Sequence, residues 1–281
     1  MTESWEGFLG RWDYPSTGPF ATGALGLLDE EWERLFRLLE GASEFEWDLV
    51  TNCAPWKVRT IAAHLATSTG MQGRAIDLGL QGTVEMAMPY EAQRRSWEEL
   101  EPRPIPDILA ALVRAANDFR QQINALSESE LARLARHRAG PRPIWWFTAQ
   151  RLVEVAFHRW DIAQSLGSET ALSAPVASFV LPMLVEINLP PVYLRGPGGQ
   201  ARFRLEAIGE QRLAWTLAAE PGRLEVLAPE AASDVRISAE PSDLALLVYG
   251  RDHAALLRDG RLQVEGRPEL LERVMSILAG P

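Results

Sequence analysis

The stretch that decides the fold class is RLVEVAFHRWDIAQSLG, residues Arg151 to Gly167. It predicts a helix with apolar residues on nearly every side, whereas a surface helix has only one apolar face. Its polar residues share one line, because helix positions three, four and seven apart face the same way. This line consists of Arg151, Glu154, His158 and Asp161. Buried charges need a partner or a metal, so the sequence predicts that this helix lies inside a bundle or lines a pocket.

Two residues on this line have the spacing of metal ligands. Glu154 and His158 are four residues apart, so one helix can offer both to a single divalent ion. The best third ligand is His64, in the apolar segment TIAAHLATS of an earlier helix. The same spacing also fits a hydrogen-bonded or solvated pair, and His64 alone fits a core histidine. The pattern is weaker than a complete His-Glu-x-x-His motif, so the spacing leaves both interpretations open.

Asp161 lies one turn beyond His158 and also has two interpretations. Its carboxylate can accept a hydrogen bond from the imidazole and thereby orient a metal ligand. Alternatively, it can pair with Arg151 or Arg159, which would neutralise a buried charge.

Three other potential ligands are expected to be structural. Cys53 is the only cysteine, which excludes an internal disulfide and a cysteine-based zinc knuckle. We expect it to act as a small buried hydrophobe rather than as a nucleophile. His137 lies in a loop rich in Arg and Pro and is expected to face solvent, and His253 has no ligand partner nearby in the sequence.

The composition disfavours several classes of partner. The chain has 281 residues, a net charge of −10 and a pI of about 5.1, so it would repel nucleic acid and anionic membrane surfaces. No window holds the roughly 20 apolar residues that span a bilayer. The N-terminus lacks the basic and apolar segments of a secretion signal. We therefore expect a globular protein of the reducing cytoplasm.

The first half of the chain is predicted to be helical, after an irregular arm of about 23 residues. Apolar residues recur at helical spacing, and Ser127 with Glu130 forms a capping-box signature for a short helix. The predicted helices are Leu27–Glu40, KVRTIAAHLATS up to Gly70, IPDILAALVRAANDFRQQINAL, the short helix after Ser127, and the opening stretch ending at Gly167.

Beyond about residue 170 the pattern changes to short alternating runs, which predict strands. The predicted strands are QARFRLEAIG, QRLAWTLAAE, GRLEVLAP, SDVRISAE and GRLQVEG, and the predicted helices are PSDLALLVYG and PELLERVMSIL. The expected fold class is α+β, with a helical domain over residues 1–170 followed by a small α+β domain over residues 171–281.

Three segments resemble one known family. CAPWKVRTIAAHLA is similar to the Cys-x-x-Trp helix of the mycothiol-dependent maleylpyruvate isomerase-like proteins, within the DinB-like metal-binding superfamily. The stretch from Arg151 to Gly167 resembles their second signature, although Arg151 stands where that signature usually has Glu. ISAEPSDLALLVYGRD and GRLQVEGRPELLERVM resemble their small C-terminal domain. The first 23 residues and residues 71–106 match less well.

The resemblance implies a DinB-like four-helix bundle that carries one divalent ion, commonly zinc. The two His and one Glu ligands of the family would correspond to His64, His158 and Glu154. The C-terminal domain would close over one end of the bundle and contribute basic residues. Arg251 is the expected catalytic arginine there, although a structural salt bridge is an equally good interpretation.

The resemblance also implies a cofactor and a reaction. The cofactor would be a low-molecular-weight thiol such as mycothiol, and the substrate would be a small electrophile with a carboxylate. The expected activity is a cis/trans isomerisation or a thiol S-transfer. A metal-activated hydrolase and a non-catalytic metal-binding protein of the same fold remain alternatives, because one fold hosts many chemistries.

Overall fold

A computed structural model describes residues 17–138, 140–168, 171–189, 200–209, 213–228, 230–251 and 253–278. The chain divides into two compact units, Met1–Leu166 and Gly167–Pro281. The first unit comprises α1 (Thr17–Gly41), α2 (Val58–Leu80), α3 (Tyr90–Leu100), α4 (Ile105–Asn124), α5 (Glu128–Leu131), β1 (Leu134–His137), β2 (Gly140–Pro143) and α6 (Ile144–Ser165).

The first unit is a bundle of its four long helices, α1, α2, α4 and α6. Helix α1 packs on α6, and α2 packs on both α4 and α6. Helix α1 buries one apolar stripe at helical spacing, formed by Leu28, Trp32, Leu35 and Leu39. Between α1 and α6, the guanidinium of Arg159 lies 2.5 Å from a carboxylate oxygen of Glu31, and both side chains are buried. The predicted four-helix bundle is therefore confirmed.

Helix α6 is the central element of the bundle. Every residue from Ile144 to Ala163 is buried except Glu154, which confirms the prediction of apolar packing on nearly every side. The helix ends at Ser165, and Gly167 has a φ of +67°. This left-handed conformation favours glycine after a helix C-terminus, as the sequence predicts.

Three predicted helix limits are wrong. Helix α6 begins at Ile144 rather than at Arg151. Helix α2 continues through Gly70 to Leu80, because a glycine costs a helix interior only about 0.5–1 kcal/mol and α2 packs on three neighbouring helices. Helix α1 begins at Thr17, so residues 17–23 are not part of an irregular arm. Pro19 falls in the first turn, where a proline is tolerated. The rest of the predicted arm, residues 1–16, lies outside the described residues.

The connection between α4 and α6 is partly as predicted. Ser127 and Glu130 form the predicted capping box, in which the Ser127 hydroxyl accepts a hydrogen bond from the Glu130 backbone amide. The antiparallel hairpin of β1 and β2 is not predicted by the sequence. It packs on α2, where a Cβ added to Gly79 would lie 2.6 Å from the carbonyl oxygen of Leu134.

The second unit contains a five-stranded sheet with helices. Its elements are α7 (Ala174–Met183), a π-helical turn (Leu184–Asn188), β3 (Ala201–Ala207), β4 (Leu213–Glu220), β5 (Arg223–Leu227), β6 (Val235–Ala239), α8 (Pro241–Val248), α9 (His253–Arg258), β7 (Gln263–Gly266) and α10 (Leu271–Leu278). The strand order is β5-β4-β3-β6-β7, in which β3 and β6 are parallel and the other neighbours are antiparallel. The predicted α+β fold class, a helical bundle before a small α+β unit, is confirmed.

Alternation within the strands explains how this sheet is packed. Alternate residues of β3, including Phe203 and Leu205, are buried, as the two-residue period of a strand requires. Helix α8 packs on α7 and on strands β3 and β6. Among the described residues of both units, no helix is long and apolar enough to cross a membrane.

Candidate metal centre

The three predicted ligands come together in the first unit. His64 lies on α2, and Glu154 and His158 lie one turn apart on α6. The Nε2 atom of His64 is 3.4 Å from Oε2 of Glu154, and Nε2 of His158 is 3.8 Å from the same oxygen. One ligand atom from each residue lies within 4.8 Å of the other two.

This geometry fits a divalent ion. Zinc bonds of about 2.0–2.2 Å at tetrahedral angles place neighbouring ligand atoms about 3.3–3.6 Å apart. The 3.4 Å and 3.8 Å separations at Glu154 are close to this range. Glu154 is also the one incompletely buried residue between Ile144 and Ala163, with 17% of its side chain exposed. On α6, solvent therefore reaches the side chain of Glu154 more than that of His158, which is 7% exposed.

The protonation states also suit metal binding. Burial lowers the pKa of His64 to about 4, although its hydrogen bond with Glu154 opposes this shift. Burial raises the pKa of Glu154, but the hydrogen bond with His64 and the nearby His158 and Arg151 outweigh it, and the pKa lies below its usual range. At neutral pH, His64 is therefore a neutral imidazole and Glu154 a carboxylate, which are the forms that bind metals.

Asp161 orients His158. Its Oδ2 atom lies 3.1 Å from Nδ1 of His158, and its side chain is fully buried. A carboxylate at Nδ1 fixes the imidazole tautomer so that Nε2 can present its lone pair to a metal. Of the two interpretations of Asp161, the structure supports the imidazole-orienting one.

Arg151 joins α6 to α2 beside the ligands. The guanidinium is buried and donates hydrogen bonds to Ser68, Thr69 and Gln72 at 2.9–3.1 Å. These acceptors were not predicted, although three polar residues close together on one helix are a recognisable signal.

Gln150 is a further polar contact that the sequence analysis missed. Its side-chain amide donates a hydrogen bond to Oε1 of Glu154 at 3.1 Å. It lies one turn before Glu154 on the line of polar residues, so the i, i+4 spacing could have identified it.

Aromatic rings cover the ligands on one side. The ring centroid of Trp56 lies 4.8 Å from that of His64 and 5.8 Å from that of His158. Trp97, on α3, lies 5.2 Å from His64 and 5.8 Å from Trp56. Tyr90 packs against Trp97 and is half exposed. This aromatic wall of Trp56, Trp97 and Tyr90 keeps water away from the two imidazoles, which strengthens charge interactions there.

The other two histidines are not part of the ligand set. His137 packs against Trp146, with a centroid distance of 4.9 Å, and burial lowers its pKa to about 4. The prediction that it faces solvent is therefore wrong, because a strand rather than a loop holds it. His253 lies in the second unit, where Nε2 is 2.7 Å from the carbonyl oxygen of Leu247.

Cys53 and Arg251 are the remaining candidate residues. Cys53 is only partly buried, and its sulfur lies within 4.8 Å of ligand atoms of His158 and Asp161. The prediction of a buried hydrophobe is therefore wrong, because a polar cluster surrounds the thiol. Arg251 lies in the second unit, with its guanidinium 5.3 Å from the ring centroid of Tyr249.

Comparison with protein families identifies the helical unit. Residues 28–163 match the mycothiol maleylpyruvate isomerase N-terminal domain, and this range contains His64, Glu154 and His158. The helical unit, rather than the whole chain, therefore belongs to this domain family. Residues 194–279 match the SCP-2 sterol transfer family. The sequence-based boundary at residue 170, and the assignment of the second domain to the isomerase-like family, stay predictions.

Solved structures show the same fold as this chain. A histidine-to-alanine mutant of the mycothiol-dependent maleylpyruvate isomerase matches with a TM-score of 0.66 and 12% identity, over 87% of this chain and 92% of that one. Another structure of the mycothiol-dependent maleylpyruvate isomerase matches with a TM-score of 0.64 and 14% identity, over 83% and 90%. No curated protein matches the sequence.

Proposed function

We propose that this protein is a divalent-metal-dependent enzyme that uses a low-molecular-weight thiol such as mycothiol. The reaction is a maleylpyruvate isomerase-like cis/trans isomerisation, or a thiol S-transfer, on a small electrophile with a carboxylate. The observation that carries the proposal is the convergence of His64, Glu154 and His158 within 4.8 Å, in a unit that matches this family. Zinc or another divalent ion would be held by these three residues.

In the proposed chemistry, the ion and the thiol supply the reacting groups, and residues of the protein hold them and exclude water. When bound, the ion favours the thiolate form of the thiol, whose reversible addition to a conjugated double bond leaves a single bond that can rotate. Glu154 supplies the one negative ligand of the trio. Asp161 holds the His158 ring in the ligating orientation. Trp56 and Trp97 exclude water beside the two imidazoles, which protects a thiolate from solvation.

We also propose that Arg251 binds the carboxylate of the substrate, as the family resemblance implies. A guanidinium is suited to this role because it can donate two parallel hydrogen bonds to a carboxylate. Replacing Arg251 with Gln should raise KM without changing metal content. The proposed setting is the reducing cytoplasm, because the thiol must stay reduced.

Metal analysis tests the ligand set. Protein purified without chelator or affinity nickel should contain close to one equivalent of a divalent ion. Glu154→Ala, His64→Ala and His158→Ala should each lose the ion, with the fold checked by circular dichroism. His253→Ala is the control and should keep it. A metal-free wild type, or a folded ligand variant with full metal content, overturns the assignment.

Thiol dependence tests the reaction class. Metal-loaded protein should turn over a conjugated carboxylate only when a small thiol is supplied. Equal turnover without thiol would contradict the proposal and favour the metal-activated hydrolase.

A further inference from the structure

A second cluster of potential ligands overlaps the proposed metal centre. One ligand atom from each of Cys53, His158 and Asp161 lies within 4.8 Å of the other two. His158 belongs to both clusters, whereas Cys53 and Asp161 belong only to the second. The two clusters therefore share one imidazole and differ in their other two residues.

The backbone holds Cys53 in place beside this imidazole. The Thr51 amide donates to the Trp56 carbonyl at 2.8 Å, and the Trp56 amide donates to the Cys53 carbonyl at 3.0 Å. The Cys53 amide donates to the Thr51 hydroxyl at 3.2 Å. These bonds close a tight turn before α2. Cys53 is partly exposed.

The donor set fits a divalent ion that prefers sulfur. A tetrahedral ion with bonds of about 2.3 Å to sulfur and about 2.0–2.2 Å to nitrogen or oxygen needs ligand atoms roughly 3.3–3.7 Å apart. The separations in the cluster lie within 4.8 Å, so any ligand atoms beyond the tetrahedral range would have to move closer around an ion. A thiolate ligand selects soft ions over hard ones.

Charge distinguishes the two clusters. The thiolate of Cys53 and the carboxylate of Asp161 would together neutralise a divalent cation, whereas Glu154 is the only anion of the first trio. Asp161 is fully buried and faces Nδ1 of His158 at 3.1 Å, so an ion at this position would add a second positive partner for a buried carboxylate.

We propose that Cys53, His158 and Asp161 form a second metal position that is selective for thiophilic divalent ions such as Cd²⁺. This inference goes beyond the proposed function, which involves neither Cys53 as a ligand nor a soft ion. Because the two positions share His158, an ion at the second position changes the ligands available at the first. Exposure to thiophilic ions would thus interfere with the proposed metal centre.

Cadmium titration of the full-length, metal-stripped protein tests this position. Cys53 is the only cysteine, so any sulfur-to-cadmium charge-transfer band in the ultraviolet reports this residue alone. The wild type should develop the band with one equivalent of CdCl₂. Cys53→Ser should lack the band and still bind zinc. Glu154→Gln should keep the band, because Glu154 belongs only to the first trio.

Two further variants distinguish cadmium binding by all three residues from binding by the Cys53 thiol alone. Asp161→Asn and His158→Ala should need a large excess of CdCl₂ to develop the band. The inference is overturned by a wild type without the band, by an unchanged titration in both variants, or by loss of the band in Glu154→Gln. A wild type that binds zinc but shows no band overturns this inference alone. A band without zinc binding overturns only the proposed function.

Discussion

At the scale of single residues, the two imidazoles of the candidate centre differ in how they are held. Nδ1 of His158 faces the buried carboxylate of Asp161 at 3.1 Å. Nδ1 of His64 is buried and has no hydrogen-bond partner among the described residues. A carboxylate on the non-ligating nitrogen fixes the tautomer and raises ligand basicity, so we expect His158 to be the stronger of the two metal ligands.

Replacing Asp161 with Asn should weaken zinc binding by His64, Glu154 and His158 without removing any of these three ligands. The amide keeps the size of the side chain but loses the charge that stabilises the oriented imidazole, and losses of this kind are roughly 10- to 100-fold in affinity. Competition with a chelator measures the change. Asp118→Asn is the matched control, because Asp118 is exposed on α4. Equal affinities for the two variants would show that Asp161 does not act through His158.

At the scale of elements, the hairpin depends on one close approach to α2. A Cβ at Gly79 would lie 2.6 Å from the carbonyl oxygen of Leu134 and 2.8 Å from Cβ of Ala135. Real Cβ atoms do not approach a backbone oxygen this closely, so the helix and strand β1 pack in this way only with a glycine. Gly70, on the same helix, has no atom within 4 Å of an added Cβ.

Alanine substitutions at these two glycines should therefore have opposite effects. Gly79→Ala should lower the free energy of unfolding by about 1–3 kcal/mol, the usual cost of overpacking. Gly70→Ala should raise it by about 0.5–1 kcal/mol, because alanine restricts the unfolded chain and favours the helix. Urea denaturation measures both. A Gly79→Ala protein as stable as Gly70→Ala would contradict the packing of β1 against α2.

At the scale of the whole molecule, acid should destabilise the fold. Burial lowers the pKa of His64 and of His137 to about 4 each, whereas an unfolded histidine titrates near 6.5. As the pH falls below about 6.5, the unfolded chain takes up protons that the native protein excludes. The contribution of these two histidines to the free energy of unfolding is therefore fully present above about pH 6.5 and is lost progressively towards pH 4.

His137→Gln isolates one part of this effect without replacing a proposed ligand. For a pKa of about 4 in the native state, His137 should account for roughly 2 kcal/mol of the stability lost between about pH 7.5 and pH 5. Urea denaturation of metal-free protein at both pH values measures the loss. The variant should lose less stability than the wild type over this interval, whatever its stability at pH 7.5. Identical losses would mean that His137 titrates normally in the native protein.

The features that the sequence predicts at this scale are those with local signals. Helical spacing identifies Glu154 and His158, and alternation identifies the strands of the second unit, because both depend on near neighbours in the chain. The contact of Trp97 with His64 and the packing of β1 on α2 depend on distant parts of the chain and have no such signal. Gly70 wrongly predicts the end of α2, because tertiary packing of this helix outweighs the weak helix propensity of glycine.

The all-round burial of α6 has a consequence for how such proteins diverge. Helix α6 contacts neighbours on every side and also presents Glu154 and His158, so it can accept few substitutions. Exposed helix faces tolerate many more. At the 12–14% identity found between this chain and proteins of the same fold, the surviving identities should be unevenly distributed. We expect them to concentrate in α6, so that this helix stays similar between proteins of the fold when the rest of the sequence has become dissimilar.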